Sequence, residues 1–90
     1  MPKVKFTTAL KRFYPNLQDT VVAGQTVSEL LEQINKTYPG IRNYLVEEDG
    51  SLRKHVNIFV DEALIHDRNC LTDAVTLNDE VLIYQALSGG

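Results

Sequence analysis

The sequence has a single cysteine, a small net charge and no long apolar run, and each of these shortages excludes a class of protein. Cys70 cannot form a disulfide within the chain, which favours a reducing compartment. Nine basic and twelve acidic residues give a net charge of −3, so the sequence lacks the basic excess typical of nucleic-acid binding. It also lacks the run of about 18 apolar residues that a membrane span needs, and the apolar segment of a signal peptide. We therefore expect a cytoplasmic protein that binds neither nucleic acid nor a membrane.

The side chains that usually carry catalysis or bind metals are few and scattered. His55 and His66 have no cysteine or acidic residue at a recognised zinc-ligand spacing. Carboxylates are numerous, but no pattern places two of them in one pocket for acid–base work. Without an activating neighbour, Cys70 is expected to be a small, semi-buried apolar side chain. The sequence thus predicts a protein that is not an enzyme and that binds no cofactor or metal.

Alternating apolar residues predict a sheet in this 90-residue chain, which is the length of one domain. A loop is expected at 10–16, and turns are expected at Asp49-Gly50 and at Asp61-Glu62. Residues 71–77 are expected to form at most a short helical turn. The predicted strands are 3–9, 18–22, 56–60, 63–65 and 80–85.

One helix is strongly indicated between the second and third predicted strands. Thr26-Val27-Ser28-Glu29 is a capping box, in which the Thr26 hydroxyl accepts from the backbone of Glu29. Pro39-Gly40 ends the helix, because proline cannot continue it and glycine tolerates a left-handed stop. Its apolar stripe consists of Val27, Leu30, Leu31, Ile34 and Tyr38.

The order of these elements predicts an α+β fold. One helix that serves four or five strands implies two layers, with the helix packed across one face of a mixed sheet. The first and last strands are apolar enough to lie side by side in the centre, where they would be parallel neighbours. That arrangement is the β-grasp.

The chain ends on Ala-Leu-Ser-Gly-Gly, which folding does not explain. Glycine loses the most conformational freedom on folding, so a terminal pair adds nothing to a core. We therefore expect a β-grasp domain over residues 1–85 and a flexible diglycine tail over 86–90. The tail is the place to look for function.

The element order, the segment L-N-D-E-V-L-I and the terminal Gly89-Gly90 resemble the ubiquitin-like sulfur carriers of the ThiS/MoaD family. The segment L-R-K-H-V-N-I-F-V-D-E, residues 52–62, is most similar to the longer, CysO-type members, which supply sulfur to amino-acid biosynthesis. The resemblance spans essentially the whole chain. Within it, the bare C-terminal diglycine is the most specific motif.

This resemblance implies a carrier whose functional atom is the carboxylate of Gly90. An activating enzyme would use ATP to adenylate that carboxylate, and a sulfur source would convert it into a thiocarboxylate. The acceptor would be a synthase or another sulfur-accepting enzyme, with a metalloprotease as a further partner that releases product. Ser88 and Gly89 would thread the tail, and the six residues 85–90 can reach about 20 Å at about 3.3–3.6 Å per residue. The carrier is expected to be a monomer when free and to need no proteolysis.

Phe59 is predicted to point away from the apolar face of its strand and to anchor a docking patch for the activating enzyme. Leu82 and Tyr84 on the last strand are expected to share that outer face, and Leu87 is a further anchor just before the diglycine. Arg53-Lys54-His55 is more typical of a solvated strand entry, although it could also pair with acids on a partner or hold the tail.

Three functions remain open at this point. The first is sulfur donation in cysteine or homocysteine biosynthesis or a related thiolation pathway. The second is the small subunit of a molybdopterin synthase. The third belongs to another class, and is either a ubiquitin-like modifier of lysines or a plain binding domain.

Overall fold

Five strands form one mixed sheet in the computed structural model, which describes residues 1–12 and 14–85. The strands are β1 (Lys3–Phe6), β2 (Thr20–Val21), β3 (Val56–Val60), β4 (Ala63–Leu64) and β5 (Glu80–Gln85). The order across the sheet is β2-β1-β5-β3-β4, with β1 and β5 parallel and the other neighbours antiparallel. The first and last strands therefore lie side by side near the centre, as the sequence predicts.

The main helix, α2 (Val27–Thr37), begins at the predicted capping box. Glu29 N donates to Thr26 Oγ1 at 3.2 Å, and Glu29 Oε1 accepts from Gln25 N at 3.1 Å, one residue before the position expected. Four residues of the predicted apolar stripe, Val27, Leu30, Leu31 and Ile34, are buried in one core cluster with the inner side chains of the sheet. Tyr38, the C-cap, is partly buried and packs against this cluster. The central inner positions are Val4, Phe6, Ile58, Val81 and Ile83.

Two short helices are present where the sequence analysis predicted none. In α1 (Thr8–Lys11) the chain leaves the sheet earlier than the predicted strand end at residue 9, and it occupies part of the predicted loop. Where the strand ends, the Thr7 hydroxyl accepts a hydrogen bond from Gln85 N at 3.2 Å. The expected strand over 3–9 is therefore wrong beyond Phe6.

The other unpredicted helix is α3 (Ile41–Leu45), which begins at Gly40 with a φ of 93°. Its first turn is capped from α2, because Asn35 Oδ1 accepts from both Gly40 N and Arg42 N at 3.1 Å. Because the capping residue belongs to another helix, no pattern in the sequence near residue 40 indicates that α3 begins there. The prediction of one helix is corrected to three among the described residues.

The remaining connections differ less from expectation. The turn at Asp61-Glu62 is confirmed, and both residues have left-handed φ values, 49° and 72°, as a tight hairpin between β3 and β4 requires. Residues 71–77 contain no helical turn. Instead Ala74 forms a bridge with Thr26, which ties this segment to the start of α2.

Within the described part of the chain, every helix is too short or too polar to cross a bilayer.

Candidate functional site

Gln85, at the end of β5, is the last residue that the structure describes before the predicted tail. Gln85 lies opposite Val56 of β3, and its backbone N–H is held by the Thr7 hydroxyl. Thr7 N in turn donates to Ile83 O at 3.3 Å. Thr7 was not predicted as part of the site, because alternation alone only assigned it to the polar face of a strand.

The predicted residues Leu87, Ser88, Gly89 and Gly90 lie outside the described residues. The structure describes the chain up to Gln85, two positions before Leu87, and the roles of these residues stay predictions.

Phe59, Leu82 and Tyr84 are placed on one face of the sheet, opposite the helices. Phe59 and Leu82 are direct cross-strand partners, and Tyr84 lies opposite Asn57 in the next pair of the same face. Tyr84 is 41% exposed, while Phe59 and Leu82 are half-buried. Their shared face agrees with the sequence reading, and their role in docking stays a prediction.

Leu64 extends this apolar face and was missed by the sequence analysis. It pairs with Phe59 across the β3–β4 hairpin and is 47% exposed. The signal was available, since a two-residue turn at 61–62 places residue 64 opposite residue 59. We call the set of Phe59, Leu64, Leu82 and Tyr84 the outer patch.

An acidic rim borders one end of the outer patch. Phe59 and Leu82 line a hollow of about 280 Å³. The charged residues around it are Lys5, Asp61, Glu62 and Glu80. Lys5 Nζ lies 3.3 Å from Glu80 Oε1, so one of the three acids has a charged partner there. The patch therefore offers apolar contact area with an excess of negative charge at its edge.

The loop beside the outer patch is held by hydrogen bonds to carboxylates. Asp67 Oδ1 accepts from Asn69 N at 3.1 Å and from Cys70 N at 3.0 Å. The hydrogen bond from the Thr72 hydroxyl is the largest cause that keeps the pKa of Asp67 below its ordinary value. Asp73 lies in the same loop, and backbone donors, above all His66 N, lower its pKa as well. Both carboxylates stay ionised, as loop anchors.

This hydrogen-bonded loop places Arg68 so that its guanidinium contacts two separate parts of the chain. Arg68 Nη1 donates to Asn57 Oδ1 at 2.8 Å, and Nη2 donates to Arg53 O at 2.8 Å. Arg68 thus connects the outer face, next to Tyr84, with the turn that carries the basic residues 53–55.

Cys70 is exposed, so the expectation of a semi-buried apolar side chain is wrong. The chain turns over residues 68–70 to offer backbone N–H groups to Asp67, and this turn leaves the thiol in solvent.

The predicted basic cluster lies at the same end of the sheet as Gln85. Arg53, Lys54 and His55 are exposed and line a hollow of about 510 Å³ together with Gln85. No group of three or more histidine, cysteine or acidic side chains suited to a metal occurs within 1–12 and 14–85.

These features define a small β-grasp protein with an apolar outer patch and a basic hollow at the root of its C-terminal segment. Solved structures with the same fold include a chain of the Amycolatopsis orientalis BexX/CysO complex, with a TM-score of 0.85, 24% identity and full coverage of both chains. SAMP1 from Haloferax volcanii has a TM-score of 0.76 at 22% identity, over 99% of this chain and 98% of that one. The β-grasp prediction is confirmed.

The chain belongs to the ThiS family, whose model matches residues 4–90. It is also similar to the sulfur carrier protein CysO of Mycobacterium tuberculosis, with 26% identity over 89 residues, which are 97% of this chain and 96% of that protein. The predicted family is therefore confirmed. The chain is a sulfur carrier of the ThiS type rather than an enzyme, as the sequence analysis expected.

Proposed function

We propose that the chain carries sulfur as a thiocarboxylate on Gly90 and donates it in a pathway of the cysteine or homocysteine type. The observation that carries this proposal is that the family match runs through residue 90 and so includes the terminal Gly89-Gly90. The similarity to proteins named sulfur carrier protein CysO supports the choice of pathway.

The proposed chemistry proceeds in two steps on a partner enzyme. A carboxylate oxygen of Gly90 attacks the α-phosphorus of ATP, and pyrophosphate leaves. Sulfide then attacks the carbonyl carbon of the acyl-adenylate, and AMP leaves with the electron pair of the broken C–O bond. The ionised form of sulfur is the nucleophile, both in this step and in the later transfer. The folded domain supplies recognition, and the chain itself supplies no catalytic group.

This function is tested by intact-mass spectrometry of the full chain. After incubation with the adenylating enzyme of the same organism, ATP and sulfide, the chain should gain the mass difference between a sulfur and an oxygen atom. ATP or sulfide omitted singly provides the controls, and neither should give the heavier species. Absence of that species from the complete reaction would overturn the proposal.

Two observations on the chain purified from cells distinguish the alternatives. Stable co-purification with a larger subunit would favour the small subunit of a molybdopterin synthase. A ladder of products joined to lysines of other proteins would favour a modifier.

The outer patch is proposed to dock the adenylating enzyme. Phe59 and Leu82 together supply a central, half-buried apolar contact, and aromatic side chains such as Phe59 are enriched in interfaces. Leu64 and Tyr84 widen it with exposed side chains. Leu87, Ser88 and Gly89 would continue the contact into the enzyme as the chain is threaded towards its active site.

Replacing Leu82 by Asp is expected to raise the KM for the carrier by about 10-fold to 100-fold, because a hot-spot contact is worth roughly 1–3 kcal/mol. The matched control is Leu77→Asp, since Leu77 is 73% exposed and lies outside the patch. Steady-state kinetics of AMP release measure both variants. A KM that rises equally in the two variants would argue against docking through this face.

A further inference from the structure

A groove with an excess of basic side chains lies on the helix side of the sheet, away from the outer patch. Its volume is about 510 Å³, and it runs between α3 and the start of β3. We call it the basic groove, and the residues that matter here are Tyr44, Glu47, Arg53, Lys54, His55 and Gln85.

The charge of the basic groove is opposite to that of the chain. The chain has a net charge of −3, and the hollow beside the outer patch is bordered by three acids and one lysine. In the basic groove, Glu47 is the acidic residue, and its Oε1 lies 3.1 Å from Arg53 Nη1. Lys54 and His55 are exposed and make no hydrogen bond or ion pair with any described residue. Lys54 therefore keeps an unpaired positive charge for a ligand, and the His55 ring adds a hydrogen-bond donor beside it.

The backbone that carries these side chains is fixed before any ligand arrives. Arg53 N donates to Leu45 O at 3.0 Å, and Arg53 O accepts from Val56 N at 3.1 Å and from Arg68 Nη2 at 2.8 Å. The Arg53 guanidinium also donates to Asn43 O, with Nη2 at 2.9 Å. A ligand of the groove would thus meet a preorganised turn, which lowers the entropic cost of binding.

The position of the basic groove places it at the contact with any enzyme that holds Gly90. Gln85 lines the groove, and residues 86–90 can span at most about 18 Å at 3.3–3.6 Å per residue. An active site that binds the Gly90 carboxylate must therefore come within that distance of Gln85. Because Gln85 lines the groove, the surface of that enzyme also comes within this distance of the groove.

The side chain of Gln85 favours a peptide over a small anion as the occupant. Gln85 Oε1 is buried and accepts no hydrogen bond from the described residues, which is costly for an acceptor. A ligand donor in the groove would relieve this cost once the amide of Gln85 turns towards it. A peptide with acidic side chains brings both backbone N–H donors and carboxylates, whereas an inorganic anion brings mainly acceptors.

We infer that the basic groove, through Lys54 and His55, binds an acidic segment at the rim of the adenylating enzyme's active site. This inference rests on the proposed function for the identity of the partner. The charge contact steers the carrier and sets the direction in which its C-terminus points, while the outer patch supplies the apolar contact.

The first test needs no enzyme. The full chain, labelled with ¹⁵N, is titrated with a hexaglutamate peptide. The expected shifts are at the amides of Lys54, His55 and Val56, and they should shrink as salt is added. The double variant Lys54→Glu/His55→Glu should lose them, whereas Lys36→Glu, on the exposed side of α2, should keep them. Equal shifts around Lys36, or the same shifts with inorganic phosphate at equal anion concentration, would overturn the inference.

The second test uses the adenylating enzyme of the same organism. The double variant should raise the KM for the carrier about tenfold and leave kcat unchanged, and the difference should diminish at high salt. A KM equal to that of Lys36→Glu would overturn the inference. An enzyme that adenylates neither the variants nor the natural chain would instead contradict the proposed function, and the peptide titration would still decide the groove.

Discussion

Deletion of Gly90 is expected to leave a folded chain that no longer forms the thiocarboxylate. The deletion moves the terminal carboxylate back by about 3.3–3.6 Å. Because a misplacement of about 1 Å can cost about 100-fold in rate, adenylation should fall at least 100-fold. The rate of pyrophosphate release and the intact mass of the product measure this loss.

Folding should be unaffected by the same deletion. The core cluster of the described residues ends at Ile83, and the last strand ends at Gln85. Gly90 lies five positions further on, so its removal takes no side chain from the core. An unchanged thermal midpoint is the expected result, and a clear drop would contradict a domain that is complete at residue 85.

Two matched variants distinguish the effect of the length of the tail from the effect of its residue types. Ser88→Ala keeps the length of the chain and both glycines, so it should be adenylated at the natural rate. Deletion of Ser88 keeps Gly89-Gly90 at the end but shortens the chain by the same amount as deletion of Gly90. It should lose adenylation too. A Gly90 deletion that is adenylated normally would contradict the assignment of Gly90 as the reactive end.

The sequence predicted well those elements that are stabilised by residues close together in the chain. The capping box at Thr26 and Glu29 forms within four residues, and the structure contains it. The alternation of apolar residues in β3 and β5 predicted that Phe59 and Leu82 lie on one face, because successive side chains of a strand point to opposite faces. These features need no knowledge of the rest of the chain.

The elements that were missed depend on contacts between distant residues. The cap of α3 comes from Asn35, and at the end of β1 the Thr7 hydroxyl pairs with Gln85, 78 positions away. Helices of four and five residues are too short to be predicted from helix propensity, because short helices rely on tertiary contacts.

The same reason limits how far the site could be predicted. The basic groove combines α3, the turn at 53–55 and the end of β5, and only the basic residues of the turn form a visible run in the sequence. Of the four residues in the outer patch, the sequence analysis missed only Leu64. The other three lie on β3 and β5, whose apolar residues alternate clearly. Surfaces made by neighbouring strands were predictable here, and surfaces made by loops were not.

Replacing Ile83 by Ala is expected to lower the free energy of unfolding by about 2–5 kcal/mol. Ile83 is 1% exposed and lies between Phe6 of β1 and Ile58 of β3, at the centre of the inner face. Truncation there leaves a cavity that three strands and α2 cannot easily close. A 90-residue domain has about 5–13 kcal/mol of stability in total, so the variant loses a large share of it.

Leu82→Ala is the matched control for this loss, because Leu82 is the preceding residue on β5 but faces outward. Its side chain is half-buried already, so about 1 kcal/mol or less is expected. Urea denaturation measures both variants, and at about 1–2 kcal/mol/M the midpoint of Ile83→Ala should fall by at least about 1 M. Equal midpoints would contradict the assignment of the two faces of β5. A lower midpoint for Ile83→Ala, together with weaker docking for Leu82→Ala, would show that adjacent residues of one strand serve stability and recognition separately.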